Sequence, residues 1–354
     1  MPHIAYIGCN ATDPESGIHC LSVNENTGEL TFLGKTEPFD CMPYLALSQS
    51  GRVLYCGGVD QNASHKLRGS VLSFEVMPDY SLNRVDIQPV FGSKSPCYIS
   101  LSKDERYLYT SNYTEGSFSC YKVHGAQLSA PIQTIIHEGT PGPNAARQNG
   151  AYAHCVECTP DGKLVCVADL GLDTVKLYAH RPDGTLEPVG DVACPPGSGP
   201  RHISFSRNGR FMYVVCEMGN IVCVFGYDDG KFEHIQSIPT MQSEDATTNS
   251  AAIRFSNDGR LLFVSNRYNS DNIAVYKVDE ESGFLTCTQY APSGGLVPRD
   301  LEPTPDGKFL LVCNQDSNTV NVLKVDSENG KLELTPHSYS AKLPVCVRFL
   351  RSMG

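Results

Sequence analysis

Along this chain, short apolar runs come in pairs around polar breaks. Residues 199–217 show the unit: Gly-Pro-Arg-His-Ile-Ser-Phe-Ser, a break at Arg207-Asn208-Gly209, then Arg-Phe-Met-Tyr-Val-Val-Cys-Glu. Runs of this length, rich in Ile, Val, Phe and Tyr and bounded by Asn and Gly, predict two strands joined as a hairpin. Asn-Gly tolerates positive φ and predicts the turn type whose twist matches the strands it joins. The first strand opens with Arg201 and the second closes on Glu217. Hairpin connectivity therefore predicts that these two charges are neighbours.

The same pattern recurs at Gln49-Ser50-Gly51, Lys103-Asp104-Glu105, Pro160-Asp161-Gly162, Asn257-Asp258-Gly259 and Pro305-Asp306-Gly307, each followed by a basic residue and an apolar run such as Arg106-Tyr-Leu-Tyr or Lys308-Phe-Leu-Leu. The spacing is 47 to 57 residues. A repeat of that length built from short strands predicts propeller blades. Two further strands complete each blade, as in Ile221-Val-Cys-Val-Phe and Ile273-Ala-Val-Tyr, then a run behind a Gly-x-Leu turn such as Gly184-Thr-Leu, Gly283-Phe-Leu or Gly330-Lys-Leu. The N-terminus begins one strand late, at Ile4-Ala-Tyr-Ile-Gly, and the C-terminus ends one strand early, at Val345-Cys-Val-Arg-Phe-Leu. These two ends are expected to share one blade, which closes the ring and removes an open sheet edge. Six internal units plus the shared one predict an all-β, seven-bladed β-propeller of four-stranded antiparallel blades, a single domain over residues 1–354.

Strand ends on one face of such a ring line the mouth of its channel. The residues eight before the turns are Pro43, Cys97, His154, Arg201, Ala251 and Arg299; those eight after are Val59, Tyr113, Leu170, Glu217, Arg267 and Gln315. Asn112, Asp169, Asn266 and Asn314 stand one residue earlier on the second strands. Three arginines at one mouth predict a site for carboxylate or phosphate. A glutamate among them is expected to stay ionised and to serve as a general base toward water, a role typically worth about 10²- to 10⁴-fold. Arg201 or His154 aimed at a carbonyl oxygen would stabilise an oxyanion. Water activation, oxyanion donors and an anion clamp describe an ester or lactone hydrolase; they serve proton transfer beside a carboxylate equally well.

Composition removes several other classes. The net charge of −11 argues against nonspecific binding to nucleic acid or an anionic membrane. No run approaches the length of a membrane span, and the N-terminus lacks a signal-peptide pattern, so a cytoplasmic location is the expectation. No Gly-x-Ser-x-Gly elbow, phosphate loop or dinucleotide fingerprint is present. Fifteen cysteines are an odd number, most of them inside apolar runs (Cys120, Cys166, Cys216, Cys223, Cys313, Cys346), and read as small buried hydrophobes. Cys155 and Cys158 in His154-Cys-Val-Glu-Cys point to opposite faces of a strand, which argues against a metal there. Two long connections, His137 to Ala153 and Thr240 to Ser250, are candidates for function; Arg147 and Gln148 on the first either close over the site or belong to a solvated loop.

Taken together, Gly142-Pro-Asn-Ala-Ala-Arg-Gln, Ala153-His, Ala168-Asp-Leu-Gly, Gly199-Pro-Arg-His, Cys216-Glu-Met-Gly-Asn, Val264-Ser-Asn-Arg, Pro298-Arg-Asp and Asn314-Gln-Asp-Ser-Asn resemble the seven-bladed propeller lactonases, over essentially the whole chain. That family includes the bacterial propeller-type 6-phosphogluconolactonases and the fungal carboxy-cis,cis-muconate cyclase. The resemblance implies a cytosolic enzyme without metal or other cofactor. The cyclase's His, Glu and two Arg match His154, Glu217, Arg201 and Arg267. Tyr152 stands where many lactonase relatives have a further His, Ala252 where relatives often have an acid, and Cys216-Glu217-Met218-Gly219-Asn220 leans toward the cyclase.

The reading is therefore a lactonase for a sugar-acid lactone, 6-phosphogluconolactone first, of the pentose phosphate pathway. Glu217, His154 and Arg201 are the catalytic candidates; Arg267, Arg299, Asp169, Gln315 and Asn112 are the substrate-binding ones. The expected partner is a small anionic lactone, and the expected state a monomer or weak homo-oligomer. A muconate-type cycloisomerase and a non-enzymatic propeller scaffold are the alternatives.

Overall fold

The computed structural model describes residues 2–11, 16–37, 44–60, 68–92, 94–242 and 248–350. Pro43 and part of the second long connection, residues 243–247, lie outside them.

The strands follow in chain order. β1 (His3–Cys9), β2 (Gly17–Val23) and β3 (Leu30–Lys35) are followed by β4 (Leu45–Leu47), β5 (Val53–Asp60), β6 (Arg68–Val76) and β7 (Leu82–Pro89). Next come β8 (Tyr98–Leu101), β9 (Tyr107–Asn112), β10 (Ser117–His124) and β11 (Gln127–Ile136), then β12 (Ala153–Cys158), β13 (Leu164–Asp169), β14 (Thr174–His180) and β15 (Leu186–Ala193). The last half contains β16 (Pro200–Phe205), β17 (Phe211–Cys216), β18 (Ile221–Asp228), β19 (Lys231–Pro239), β20 (Asn249–Phe255), β21 (Leu261–Arg267), β22 (Asn272–Val278) and β23 (Leu285–Pro292), then β24 (Pro298–Pro303), β25 (Phe309–Asn314), β26 (Thr319–Asp326), β27 (Lys331–Ser340) and β28 (Pro344–Phe349). They form seven four-stranded sheets: six of consecutive strands, and one ordered β28-β1-β2-β3. This is the seven-bladed propeller fold. The C-terminal strand pairs antiparallel with the N-terminal one, Ala5 opposite Phe349 and Gly8 opposite Cys346, as the two incomplete ends predict.

The recurring turn owes its sequence to hydrogen bonding. In Thr159–Leu164 the Thr159 hydroxyl donates to Asp161 (2.6 Å), the Lys163 amide donates to the same oxygen (3.1 Å), and the Leu164 amide donates to Thr159 Oγ1 (3.0 Å). Ser206 and Asn208 repeat the arrangement, as do Ser256 with Asp258 and Thr304 with Asp306. Only the glycine of Asn208-Gly209 takes a positive φ (73°). The turn is thus closed by its Ser/Thr and Asp/Asn side chains, not by the Asn-Gly geometry with both residues at positive φ.

The Gly-x-Leu turns are explained by contacts between consecutive sheets. Gln133 brackets Leu186, donating to its carbonyl and accepting from its amide, and Gln236 does the same for Leu285 and Gln289 for Leu332. Apolar side chains fill the space between facing sheets. One cluster joins Tyr213, Val215, Val222 and Val224 to Ile253, Leu262, Val264 and Ala274, and another joins Ala252, Phe263 and Val275 to Leu301, Leu310 and Val312. Cys120, Cys166, Cys216, Cys223, Cys313 and Cys346 are all buried. Burial pushes the Cys120 thiol up to about 12 and raises Cys166 and Cys313 well above the ordinary range, as expected of cysteines packed as hydrophobes.

The chain falls into two compact units. One holds the N-terminal strand, Ile18–Thr36 and the chain from Ser204 on; the other runs up to Ile203. The division falls inside β16.

Candidate active site

In the unit ending at Ile203, His154 and Arg201 are nearly inaccessible, 5% and 2% exposed. His154 lies at a bulge in β12. Ala153 pairs with Asp169 and Cys155 with Ala168, so one extra residue is accommodated between them. Such a bulge re-aims a side chain out of the normal alternation. The Arg201 guanidinium reaches the His202 ring at 3.0 Å, and the His202 ring meets that of His154 edge to face at 5.3 Å. The surroundings are aromatic. Tyr98 stacks on Tyr44 at 4.0 Å and meets His202 at 5.0 Å, Tyr113 meets His154 at 5.4 Å and stacks on Tyr152 at 4.8 Å. Tyr98 donates its hydroxyl to Glu157 at 2.6 Å.

In the other unit, Glu217 follows β17 and Arg267 ends β21. They form an ion pair of 2.9 Å with side chains 7% and 4% exposed. The guanidinium also donates to the carbonyls of Asn249 and Ser250, 3.4 and 3.3 Å. The Glu217 carbonyl accepts the Ser250 amide, and Asn220 binds both Ser250 and Thr248, so the Cys216–Asn220 segment is sewn to the start of β20. Arg299, half-buried, donates to Gln315 at 3.2 Å. It sits on a bulge like that of His154, between Pro298 opposite Asn314 and Asp300 opposite Cys313. The sheet of β16 to β19 carries Arg201 in its first strand and Glu217 directly after its second.

Asp169 and Asn112 are bonded within the chain itself. Asp169 is fully buried and receives four hydrogen bonds, from the Tyr152, Gly171 and Leu172 amides and from His137 Nδ1. Asn112, 1% exposed, binds Ser117 and Ser119. Asn266 and Asn314 at the equivalent places hook Thr240 and Ser293, the residues just after the preceding sheets' last strands, as Asp169 hooks His137. Gln148 is likewise no cover over the site: it is 1% exposed and bonded to Leu170 and Asp173.

Comparing mouth positions missed His202, Tyr98 and Tyr44. Each stands one residue beyond a compared position, so the same comparison moved by one residue finds them. It also finds Asp300, 1% exposed, held by Arg254 (3.1 Å) and Arg348 (2.7 Å), which both reach Glu302 as well. Burial pushes the Asp300 carboxyl up, but Arg348 and Arg254 outweigh it and hold the group below the usual carboxylate range.

Chemically, the first unit presents a guanidinium and an imidazole against an aromatic wall, and the second a carboxylate locked to a guanidinium. Among solved structures, a Bacteroides fragilis protein assigned provisionally as a 6-phosphogluconolactonase is similar at 30% identity, with 99% of this chain and 98% of that one covered and a TM-score of 0.90. A periplasmic gluconolactonase of Pseudomonas aeruginosa is similar at 27% identity, with 99% of both chains covered and a TM-score of 0.91. An uncharacterized protein of Staphylococcus saprophyticus is 30% identical over 99% of this chain and 100% of its own. Residues 4–349 match the family described as lactonase, 7-bladed beta-propeller, and the chain belongs to that family.

Proposed function

We propose that this protein is a lactonase that hydrolyses a sugar-acid lactone, 6-phosphogluconolactone first. The observation that carries the reading is the burial of four polar side chains matching the cyclase's His, Glu and two Arg. His154, Arg201, Glu217 and Arg267 are each 5% exposed or less. Ionisable groups are costly to bury, and a stable strand end needs none of them. Glu217 removes a proton from water as its oxygen adds to the lactone carbonyl carbon. Arg201 and His154 donate to the oxygen that becomes negative. The ring C–O bond then breaks, and the leaving alkoxide takes the proton back from Glu217. Arg267 and Arg299 hold the substrate's anionic group, with Gln315 at its hydroxyls.

The aromatic wall of Tyr98, Tyr44 and His202 favours a second reading, a cycloisomerase for a planar, conjugated muconate-type acid. The deciding experiment measures ring-opening of 6-phosphogluconolactone and of glucono-lactone, and cyclisation of a carboxymuconate, each against the uncatalysed rate. Acceleration of a lactone with Glu217→Gln reduced about 10²-fold or more supports the first reading. Acceleration of the muconate alone supports the second. Glu217→Gln within a few-fold of wild type removes the base assignment.

A further inference from the structure

The connection between β13 and β14, Asp169-Leu-Gly-Leu-Asp173, carries two buried carboxylates four residues apart. Asp169 Oδ1 accepts the Tyr152 amide at 2.8 Å, two residues before His154. Asp173 Oδ1 accepts the Gly199 amide at 2.8 Å, two residues before Arg201, and its Oδ2 accepts the Gly197 amide at 2.6 Å. Each carboxylate therefore holds the backbone at the same distance upstream of a candidate catalytic side chain. Neither pairs with a lysine or arginine among the described residues. Their partners are backbone amides, His137 on Asp169 and Gln148 on Asp173.

Gln148 ties the long connection into this segment. Its side-chain nitrogen donates to Asp173 and to the Leu170 carbonyl, both at 2.8 Å, and its oxygen accepts the Asn144 amide at 3.1 Å. The Gly142 amide donates to the Gly171 carbonyl at 2.8 Å. There is no slack. A Cβ on Gly142 would lie 2.3 Å from both Asp173 Oδ2 and Gln148 Oε1, and one on Gly171 would lie 1.8 Å from the Gly150 carbonyl. Asp173 itself holds a φ of 52°, in the left-handed region that few non-glycine residues occupy.

We infer that Asp169 and Asp173 are positioning residues, Asp169 for His154 and Asp173 for Arg201, in the reaction proposed above, on which this inference rests. Both Asp173 oxygens accept backbone amides, so asparagine there keeps the volume but turns an amide nitrogen toward a backbone N–H: one bond is lost and two donors face each other. At Asp169 only Oδ1 faces backbone amides, and an asparagine could keep them with its nitrogen toward His137 Nδ1, so alanine is the substitution that removes the acceptor. A displacement near 1 Å of a catalytic group can cost about 10²-fold in rate.

The test uses hydrogen–deuterium exchange and kinetics on the full chain. Asp173→Asn should speed exchange in residues 197–203 and leave 152–155 as in wild type; Asp169→Ala should do the reverse. With the lactone that wild type turns over, Asp173→Asn should lower kcat/KM by about 10- to 100-fold, mostly in kcat, yet less than twofold when added to Arg201→Met. Should Asp173→Asn not fold, Asp173→Glu, which keeps both acceptors but displaces them, carries the same expectation. Exchange that is unchanged, or raised evenly across the chain, overturns the inference. So does an Asp173→Asn loss that is undiminished in the Arg201→Met background. A wild type inactive on every lactone sinks the proposed function alone, because the exchange measurement needs no substrate.

Discussion

His154 in β12 and Arg299 in β24 occupy the same place in the repeat, and the same bulge presents both. What surrounds them differs in kind. Near His154, the buried carboxylates of Asp169 and Asp173 are satisfied almost wholly by neutral N–H donors. Beside Arg299, the buried carboxylate of Asp300 is held by two guanidinium groups, with one backbone amide, that of Val347, added at 3.2 Å. Backbone amides fix the path of the chain, so the first arrangement sets where loops run. Ion pairs tie side chains, so the second fastens β20, β24 and β28, including the C-terminal strand that completes the sheet of β1. One backbone device thus serves geometry in one region and cohesion in the other. Damage to the first should be local and felt in rate, damage to the second global and felt in stability.

The largest expected effect lies in the second region. Arg348→Met leaves Asp300 and Glu302 sharing Arg254 alone. Breaking a buried pair by removing one partner costs about 3–5 kcal/mol, and the remaining guanidinium places this case near the lower end. Urea unfolding of the purified protein measures it; a loss under about 1 kcal/mol would mean the network is not what fastens these strands. Its pH dependence follows from sign. The Asp300 carboxyl is held below its ordinary value, near 3.9 in an unfolded chain. Its contribution is therefore complete above that value and is lost as pH falls through the lower, folded one. The stability gap between wild type and Asp300→Asn should be widest at neutral pH and narrow below about pH 4.

A smaller effect is expected in the first region. Gly142 does not take positive φ, so alanine there meets only a shortage of space, against Asp173 and Gln148. Overpacking of this kind costs typically about 1–3 kcal/mol. Gly142→Ala should lower the unfolding midpoint accordingly and also slow the lactone reaction, whereas Arg348→Met should leave the rate of the folded fraction near wild type.

The regular parts of this fold were legible because they repeat. Six turns, the Gly-x-Leu signals and two incomplete ends announce seven sheets and the β28–β1 pairing. His154, Arg201, Glu217 and Arg267 stand out as candidates because they break the repeat with charge at one strand position. Asp169 and Asn112 stand beside such positions, and a comparison by column does not show which side chains the fold bonds to its own chain. His202, Tyr98 and Tyr44 were hidden for the same reason: an aromatic residue next to an apolar run reads as core. The brace at 169–173 had no signature, since its partners are backbone amides brought together only by folding.

The smallest expected effect concerns a third kind of carboxylate, in the turns. Asp258 accepts from the Ser256 hydroxyl (2.6 Å) and the Arg260 amide (3.1 Å) and also pairs with the Arg260 guanidinium at 2.7 Å. Its carboxyl lies below the usual range, although partial burial pushes it up, because Ser256 and Arg260 bond to it. The charge is still dispensable. At the equivalent turn Asn208 takes the same two bonds, from Ser206 at 2.7 Å and the Arg210 amide at 3.0 Å. One oxygen acceptor is all the turn demands, and exposed ion pairs contribute about 0–1 kcal/mol. Asp258→Asn should therefore change stability by less than about 1 kcal/mol, in urea unfolding at neutral pH. The same substitution at Asp173 removes an acceptor that no other group can supply. A loss at Asp258 as large as at Asp173 would mean that charge, not the count of acceptors, governs these sites, and the distinction between amide-held and ion-held carboxylates would fall.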